Sequence, residues 1–255
     1  MRLENKEKFI TKSLESCKYL GSEVIYYDRT DSTMEDARKL IEQQAADGSV
    51  IIAEQQTAGK GRYNRKWYSP LGGIYLSLIL FREIEMQKQG LLSLTAGVAS
   101  CETIKKYLPE AEIKWPNDVL FKEKKISGIL IEKLGNYYSI GTGINTNTEK
   151  FEGEFLLQPT SIYLETEKEI DNNNFIINFL KKFDENYDLL ANHEYNAILE
   201  KWKSMSLTIG RKVKLRNPMI KGEREIDIIN IDNNGFLIAE TEKGIEKIIS
   251  GEIFY

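Results

Sequence analysis

The fold is decided by two stretches, KISGILIEKL at residues 125–134 and YYSIGTG at residues 137–143, which are joined by Gly135-Asn136. Both stretches are rich in β-branched, aromatic and small residues with strand-like patterning, and the Gly-Asn dipeptide is typical of a tight hairpin turn. Strands joined by so short a turn run antiparallel. The sequence therefore predicts a β-hairpin here, within a mixed and largely antiparallel sheet.

The chain before this hairpin alternates strand patterns with helical ones. Further strands are expected at residues 24–27, 50–55, 73–81, 112–115 and 119–121. Helices are expected over residues 3–20, from Ser32 onward, over residues 91–108 and over most of residues 172–205. The first of these would bury Phe9, Ile10, Leu14 and Cys17, and the second opens with Ser32 and Glu35 in the spacing of a capping box.

Residues 207–255 have a different pattern, with short β-rich segments around Asn233-Asn234-Gly235. We therefore predict an α+β fold with two domains. Residues 1–205 would form a largely antiparallel sheet flanked by helices. Residues 206–255 would form a small C-terminal β-barrel that docks on or covers the main site.

Composition excludes several classes of protein. The 255 residues carry a net charge of −4, which argues against a surface built for nucleic acid. His193 is the single histidine, so a histidine-based triad or a multi-histidine metal site is excluded. The two cysteines are far apart and are expected to be reduced. No apolar stretch is long enough to span a bilayer and no export signal is evident, so we expect no membrane association and a cytoplasmic location.

Residues 59–67, GKGRYNRKW, place two glycines and four cations in nine positions, a pattern that favours an anion-binding loop. It is not a P-loop, because Glu54 stands where the first glycine is required and Gly61 follows Lys60 in place of Ser or Thr. The Gly141-Thr142-Gly143 stretch is not a dinucleotide fingerprint, because Thr146 replaces the third small residue and no crossover helix follows.

Taken singly, such pieces are more often solvated turns or strand ends than ligand sites. Their joint order is more specific. It runs from Asp31-Ser32-Thr33 through EQQTAGKGR at residues 54–62, RKW at 65–67, KWPND at 114–118 and KISGILIE at 125–132 to GTGIN at 141–145, with a weaker echo at Ser250-Gly251-Glu252. This order resembles the biotin protein ligase family. The resemblance implies a class II synthetase-like core with an SH3-like C-terminal domain, and an enzyme that uses ATP and Mg²⁺ to convert biotin to biotinyl-5′-AMP before transfer to a lysine of a biotin carboxyl carrier domain.

The resemblance also implies roles for individual residues. The biotin-binding set is Ser32, Thr33, Gln56, Gly59, Lys60, Arg62, Lys125, Gly128, Gly141 and Gly143. Ser32, Thr33 and Gln56 would hold the ureido ring, and the loop from Gly59 to Trp67 would close over the ligands.

The ATP and adenylate set implied in the same way is Arg62, Arg65, Trp67, Lys114, Asn117, Asp118, Lys125 and Asn145. Lys125, Arg62 and Lys114 are the catalytic candidates, because a carboxylate attacking a phosphate needs convergent cations. Trp67 would lie near the adenine, and Asp118 would contact magnesium through ATP.

This chain departs from the family pattern at two positions, Met34 and Lys60, where the family often has Asn and Arg. Larger members carry an N-terminal helix-turn-helix, for which the leader here is expected to be too short. The sequence leaves the oligomeric state open, although hydrophobic strands that end a sheet often pair across a two-fold axis, which would give a homodimer. Two alternatives stay open: a lipoate or octanoate ligase, disfavoured by the polar Ser32, Thr33 and Gln56, and a non-catalytic nucleotide- or nucleic-acid-binding regulator, disfavoured by the acidic net charge.

Overall fold

The computed structural model describes residues 3–216 and 222–255. Its first sheet has seven strands in the order β1-β2-β3-β7-β6-β5-β4. These strands are β1 Val24–Tyr27, β2 Ser49–Ala53, β3 Ile74–Phe81, β4 Glu112–Lys114, β5 Asp118–Phe121, β6 Lys124–Leu134 and β7 Tyr137–Ile144. The helices are α1 Leu3–Ser13, α2 Thr33–Glu42, α3 Gln89–Ile104, α4 Ile162–Thr166, α5 Asn172–Ala191 and α6 Tyr195–Ser204.

The hairpin of β6 and β7 is confirmed as an antiparallel pair near the middle of this sheet. Leu134 faces Tyr137 across the turn, and Gly128 faces Gly143 toward the other end of the pair. Only β1 and β2 pair in parallel among the described strands of this sheet; the other neighbours are antiparallel. The predicted α+β class with a mixed, largely antiparallel sheet is confirmed.

Helices cover the sheet unequally on its two faces. Alternate residues of β2 separate the layers: Val50 and Ile52 join the large core, which includes α3 and α5, whereas Ile51 packs with Ala37 and Ile41 of α2. This alternation follows from the two-residue period of a strand. The α2 helix therefore lies on the face opposite α3 and α5.

The predicted all-β character of the C-terminal region is confirmed. It forms a five-stranded antiparallel sheet in the order β11-β10-β9-β8-β12. Its strands are β8 Lys212–Arg216, β9 Glu223–Ile231, β10 Leu237–Thr241, β11 Gly244–Ile248 and β12 Glu252–Phe254. Pairing of β12 with β8 returns the chain end to the start of this sheet.

Three local predictions are wrong. The first helix ends at Ser13, short of residue 20, and Phe9 is 42% exposed because it faces away from the core that Ile10 enters. His193 was expected within the helical stretch of residues 172–205, but it lies in a turn between α5 and α6 with a φ of 61°. The α2 helix does begin after Ser32, but the Ser32 hydroxyl makes no capping hydrogen bond within the described structure.

Two further features concern the cysteines and the length of the helices. The thiols of Cys17 and Cys101 are free, with Cys101 buried and Cys17 half-buried. Among the residues described, no helix combines the length and the apolar character that crossing a membrane requires.

Candidate active site

One cavity of about 380 Å³ gathers most of the residues singled out from the sequence. It lies between the seven-stranded sheet, the loop at residues 59–67 and the end of the C-terminal sheet. The predicted residues that line it are Thr33, Gln56, Lys60, Arg62, Arg65, Trp67, Lys114, Asn117, Asp118, Lys125, Gly128, Gly141, Gly143 and Asn145. Ser32 and Gly59 are not among the residues that line it.

The loop at residues 59–67 is a small hairpin in its own right. Gly61 N donates to Arg65 O at 2.7 Å, and Trp67 N donates to Gly59 O at 2.8 Å. The turn residues Tyr63 and Asn64 take the left-handed conformation, with φ of 56° and 58°. Position 59 requires glycine because of close packing and not because of its backbone conformation. A Cβ there would lie 2.6 Å from Ser69 Oγ. Backbone amides therefore hold the loop in shape, and its left-handed turn is carried by non-glycine residues.

A polar network occupies one end of the cavity. Gln56 Oε1 accepts from the backbone N of Thr33 at 2.9 Å and from Thr33 Oγ1 at 3.2 Å, and Gln56 Nε2 donates to Ser69 Oγ at 2.8 Å. Ser77 Oγ donates to Thr33 Oγ1 at 2.9 Å. Ser32, the residue before Thr33, has a buried Oγ without a partner in the described structure. Buried hydroxyls and amides of this kind suit a ligand that both donates and accepts hydrogen bonds.

The glycines of β6 and β7 make room for the indole of Trp67. A Cβ on Gly143 would lie 2.4 Å from atoms of that ring, and one on Gly128 would lie 2.8 Å from it. Because Gly128 and Gly143 are paired across adjacent strands, they form one bare patch of sheet. Trp67 Nε1 is buried and has no partner among the described residues, so the indole offers an unused donor at the cavity wall.

Three cations, Arg62, Lys114 and Lys125, line the same cavity. Lys125 Nζ lies 2.8 Å from Asp118 Oδ1 and 5.2 Å from the centre of the Trp67 ring. Arg62 Nη1 donates to Asn117 Oδ1 at 3.1 Å, and Asn117 is itself anchored by donating to Ile129 O at 2.7 Å. The convergence of Arg62, Lys114 and Lys125 on one cavity is what an anionic ligand requires.

Lys114 is the most buried of these cations, at 5% exposure. Its Nζ lies 5.3 Å from the ring centre of Phe254 and 5.9 Å from that of Tyr255, both at the end of the C-terminal sheet. Burial lowers the pKa of Lys114 to about 8, with the nearby positive charge of Lys125 acting in the same direction and Asp118 opposing it. A group in this state gains charge when an anion enters.

The two departures from the family pattern have identifiable surroundings. Met34 is buried on the cavity wall, where its Sδ accepts from Ser139 Oγ at 3.3 Å and would lie 2.6 Å from a Cβ on Gly141. Lys60 Nζ lies 2.6 Å from Glu35 Oε2 on α2. The Asn145 side chain is also hydrogen-bonded within the protein, because its Nδ2 donates to Thr160 O at 2.9 Å.

Sequence reasoning missed two parts of the lining. One is a cluster of aromatic rings from Tyr68, Phe151 and Phe155, whose centres lie 6.1 to 6.2 Å apart. The signal for it was the apolar content of residues 151–157, in a segment with no regular secondary structure. The other part is Glu252, Ile253 and Phe254 of β12, where the only signal was the weak motif match at residues 250–252.

No group of three or more His, Cys, Asp or Glu side chains within residues 3–216 and 222–255 could hold a metal ion. Asp118 nevertheless presents a carboxylate to the cavity wall beside Asn117. Mg²⁺ at nucleotide sites is held by one or two carboxylates together with phosphate oxygens and water. The residues present therefore fit a magnesium ion that arrives with a nucleotide.

Comparison with known sequences gives two matches that together span most of the chain. Residues 26–145 match the Biotin/lipoate A/B protein ligase family, and residues 208–255 match the Biotin protein ligase C terminal domain. The chain is 35% identical over 243 residues to the bifunctional ligase/repressor BirA of Bacillus subtilis, which covers 92% of this chain and 74% of that protein. It is 30% identical over 216 residues to the biotin–acetyl-CoA-carboxylase ligase of Mycobacterium tuberculosis, covering 82% of this chain and 79% of the relative.

Solved structures agree with these matches. The biotin protein ligase of Aquifex aeolicus, in complex with biotin and ATP, superimposes with a TM-score of 0.81 at 32% identity. The alignment covers 91% of this chain and 98% of that one.

Proposed function

The chain belongs to the Biotin/lipoate A/B protein ligase family and is a biotin protein ligase, and from this premise we propose which residues perform each step. In the first step a carboxylate oxygen of biotin attacks the α-phosphorus of ATP. The bond from that phosphorus to the bridging oxygen breaks, and pyrophosphate leaves. In the second step the neutral amine of a lysine attacks the acyl carbon of biotinyl-5′-AMP, AMP leaves and the amine loses a proton.

The convergence of Lys125, Lys114 and Arg62 on one cavity carries the assignment of the first step. Two anions must approach each other, and negative charge grows on the phosphate oxygens in the transition state. Lys125 would bridge the biotin carboxylate and the α-phosphate, a role supported by its position between Asp118 and Trp67. Lys114 and Arg62 would add positive charge to the phosphates from either side.

The polar network around Thr33 and Gln56 would bind the ureido ring of biotin. Ser32 Oγ, Thr33 and Gln56 supply both donors and acceptors there. The bare backbone at Gly128, Gly141 and Gly143 lets the bicyclic ring and its chain approach the sheet closely, which side chains at those positions would prevent. Gly59 and Lys60 would shape the loop that covers the ring.

The aromatic and cationic rim would hold the nucleotide. Tyr68, Phe151 and Phe155 offer an apolar wall for adenine, which Trp67 extends, while Asn117 and Asn145 fix the backbone around the phosphates. Asp118 would contact Mg²⁺ carried by ATP, and the ion would neutralise phosphate charge. Arg65 adds a further positive charge to the loop beside this rim.

The partner in the second step would be a biotin carboxyl carrier domain of a biotin-dependent carboxylase, with the protein acting in the cytoplasm. We retain the division between residues 205 and 206 as a proposal, supported by a C-terminal sheet that is built wholly from later residues.

A homodimer also stays a prediction. Both end strands of the seven-stranded sheet carry contacts from their own chain, since Tyr26 N donates to Glu7 Oε1 and Ile113 N donates to Met205 O. A second copy would therefore need another surface, or would have to displace these contacts.

A lipoate or octanoate ligase is the nearest alternative, because the family includes enzymes for both acids. An aliphatic acid would leave the buried groups of Ser32, Thr33 and Gln56 without ligand partners, which costs binding energy. The test is to incubate the protein with ATP, Mg²⁺ and either biotin or lipoate, and to measure acyl-adenylate by mass spectrometry and then transfer to a carrier domain. We expect adenylate and transfer with biotin; a preference for lipoate would overturn the assignment.

A further inference from the structure

The loop at residues 59–67 is joined to the C-terminal sheet by a bidentate ion pair. Both terminal nitrogens of Arg65 donate to the carboxylate of Glu252, with Nη2 to Oε2 at 2.7 Å. The Glu252 side chain is only 10% exposed, whereas that of Arg65 is 43% exposed. Donation to the Glu252 carboxylate raises the pKa of Arg65. Such paired guanidinium–carboxylate contacts fix orientation as well as distance.

The contact extends from Arg65 to the residue that faces the phosphates. Two guanidinium groups lie against the Tyr63 ring, with the Arg65 carbon 5.6 Å and the Arg62 carbon 4.9 Å from its centre. Arg62 Nη2 also donates to Tyr63 Oη at 2.9 Å. Stacking of this kind attracts both cations to the ring. A continuous series of contacts therefore runs from Glu252 through Arg65 and Tyr63 to Arg62.

The position of Glu252 is set firmly by its own strand. Gly251 precedes it with a φ of 152°, and a Cβ at that residue would lie 2.7 Å from Leu215 Cδ1. Glu252 itself faces Arg216 across the β12 and β8 pair. Strand placement of this kind aims a side chain more accurately than a loop does.

The loop has a physical need for such an anchor. Lys60, Arg62, Arg65 and Lys66 bring four positive charges into seven residues, close to Lys114 and Lys125. Like charges gathered in a partly dry site repel each other. A carboxylate from β12 of the C-terminal sheet offsets part of this repulsion at Arg65.

We propose that Glu252 is a positioning residue for catalysis, which acts through Arg65 and Tyr63 to hold Arg62 over the adenylate and to keep the loop closed. This inference rests on the proposed function and adds to it a role for the C-terminal sheet. It requires that Glu252 contact neither biotin nor ATP. Loss of the carboxylate would therefore weaken retention of the intermediate more than it weakens the chemical step.

The test is a double-mutant cycle on Arg65→Ala, Glu252→Gln and the combined variant. For each protein, biotinyl-5′-AMP is formed in place and its escape into solution is followed, together with kcat and the KM for ATP. We expect escape to accelerate about tenfold in each single variant, which corresponds to about 1.4 kcal/mol. The double variant should be no worse than either single one, because the two residues act as a unit.

A matched control comes from the Arg224–Glu246 ion pair, which lies within the C-terminal sheet at 2.7 Å. Glu246→Gln should leave adenylate escape unchanged. Glu252→Gln should leave the melting temperature within a few degrees of the original, so a faster escape would not reflect unfolding.

Additive effects of the two single variants, or unchanged escape in Glu252→Gln, would overturn the positioning role while the unaltered protein still forms adenylate. Failure of the unaltered protein to form adenylate would instead count against the proposed function.

Discussion

The Nζ atom of Lys125 lies 2.8 Å from Oδ1 of Asp118, on the neighbouring strand of the same sheet. The pair holds the ammonium group at the cavity wall, with the Trp67 ring on another side. The carboxylate holds the lysine side chain in place until a ligand carboxylate or phosphate shares it. Lys125 is thus preorganised for an anion, which lowers the reorganisation that catalysis would otherwise require.

Replacing Lys125 with alanine is expected to abolish adenylate formation while biotin binding stays measurable. The reason is that its charge matters most when negative charge develops on the phosphate, whereas the ureido contacts remain. Adenylate formation is followed by pyrophosphate release, and biotin binding by calorimetry. Lys124→Ala is the matched control, because the adjacent Lys124 pairs with Glu165 at 2.9 Å and does not line the cavity. Normal pyrophosphate release by Lys125→Ala would show that another group activates the phosphate.

The KM for ATP is expected to rise as the pH increases above about 8. Burial lowers the pKa of Lys114 to about 8, so the free enzyme loses this positive charge in that range, whereas bound phosphate favours the protonated lysine. Binding then takes up a proton, and the KM should rise up to about tenfold per pH unit. Lys114→Arg should remove this dependence, since arginine stays charged. A flat profile in the unaltered protein would contradict the assignment of Lys114 to the phosphates.

The lowered pKa of Lys114 also affects the stability of the unliganded protein. A free lysine titrates near 10.4, so between about pH 8 and that value the unfolded chain binds more protons than the folded one. The free energy of unfolding should therefore increase with pH across this window, by about 3 kcal/mol at most. Urea denaturation of Lys114→Met, compared with the original protein, should show no such increase.

Much of the sheet could be predicted because its strands obey local rules. The hairpin at residues 124–144 combines a strand-forming pattern with a strong turn signal, and both operate between near neighbours. The errors came where tertiary contacts decide. Phe9 fits a helical apolar stripe, yet it is exposed because only its neighbour Ile10 reaches the core. Ser32 satisfies a capping pattern, yet its hydroxyl is buried without a partner among the described residues and does not cap the helix.

The candidate site divides in the same way. Lys114, Lys125 and the glycine pairs could be predicted because the order of the motifs that contain them resembles that of a known family. Glu252 could not be given a role, because its partner Arg65 lies 187 residues away and no local pattern links them. The aromatic cluster at Tyr68, Phe151 and Phe155 was missed since its segment has no helical or strand period.

Gly143→Ala is expected to raise the KM for biotin by about tenfold or more. The added Cβ would lie 2.4 Å from the Trp67 indole, so the ring must move and the loop carrying it must shift. Overpacking of this kind typically costs 1–3 kcal/mol, and about 1.4 kcal/mol corresponds to a factor of ten. Steady-state kinetics with biotin would measure the effect. Gly97→Ala on α3 is the control, because its nearest neighbour, Ile113 Cγ2, would lie at an ordinary 3.7 Å. Equal KM values for the two variants would show that the ring does not define the biotin pocket.

Met34 is expected to set the fit of biotin against the sheet. Its sulfur lies where a side chain on Gly141 would be, so methionine and glycine fill one volume between them, and Ser139 Oγ donates to that sulfur at 3.3 Å. Met34→Ala leaves a cavity at the wall and an unpaired buried hydroxyl. We expect the KM for biotin to rise about tenfold with little change in kcat, because the lost contact serves ground state and transition state alike.

Two comparisons separate this role from general destabilisation. Met86→Ala removes a methionine that is 83% exposed and lies outside the cavity, so it should leave the KM unchanged. Met34→Asn restores an acceptor for Ser139, so part of the affinity should return even though the side chain is shorter. If Met34→Ala binds biotin as tightly as the original protein, the volume beside Gly141 does not belong to the ligand, and the biotin ring must lie closer to Trp67 than we have placed it.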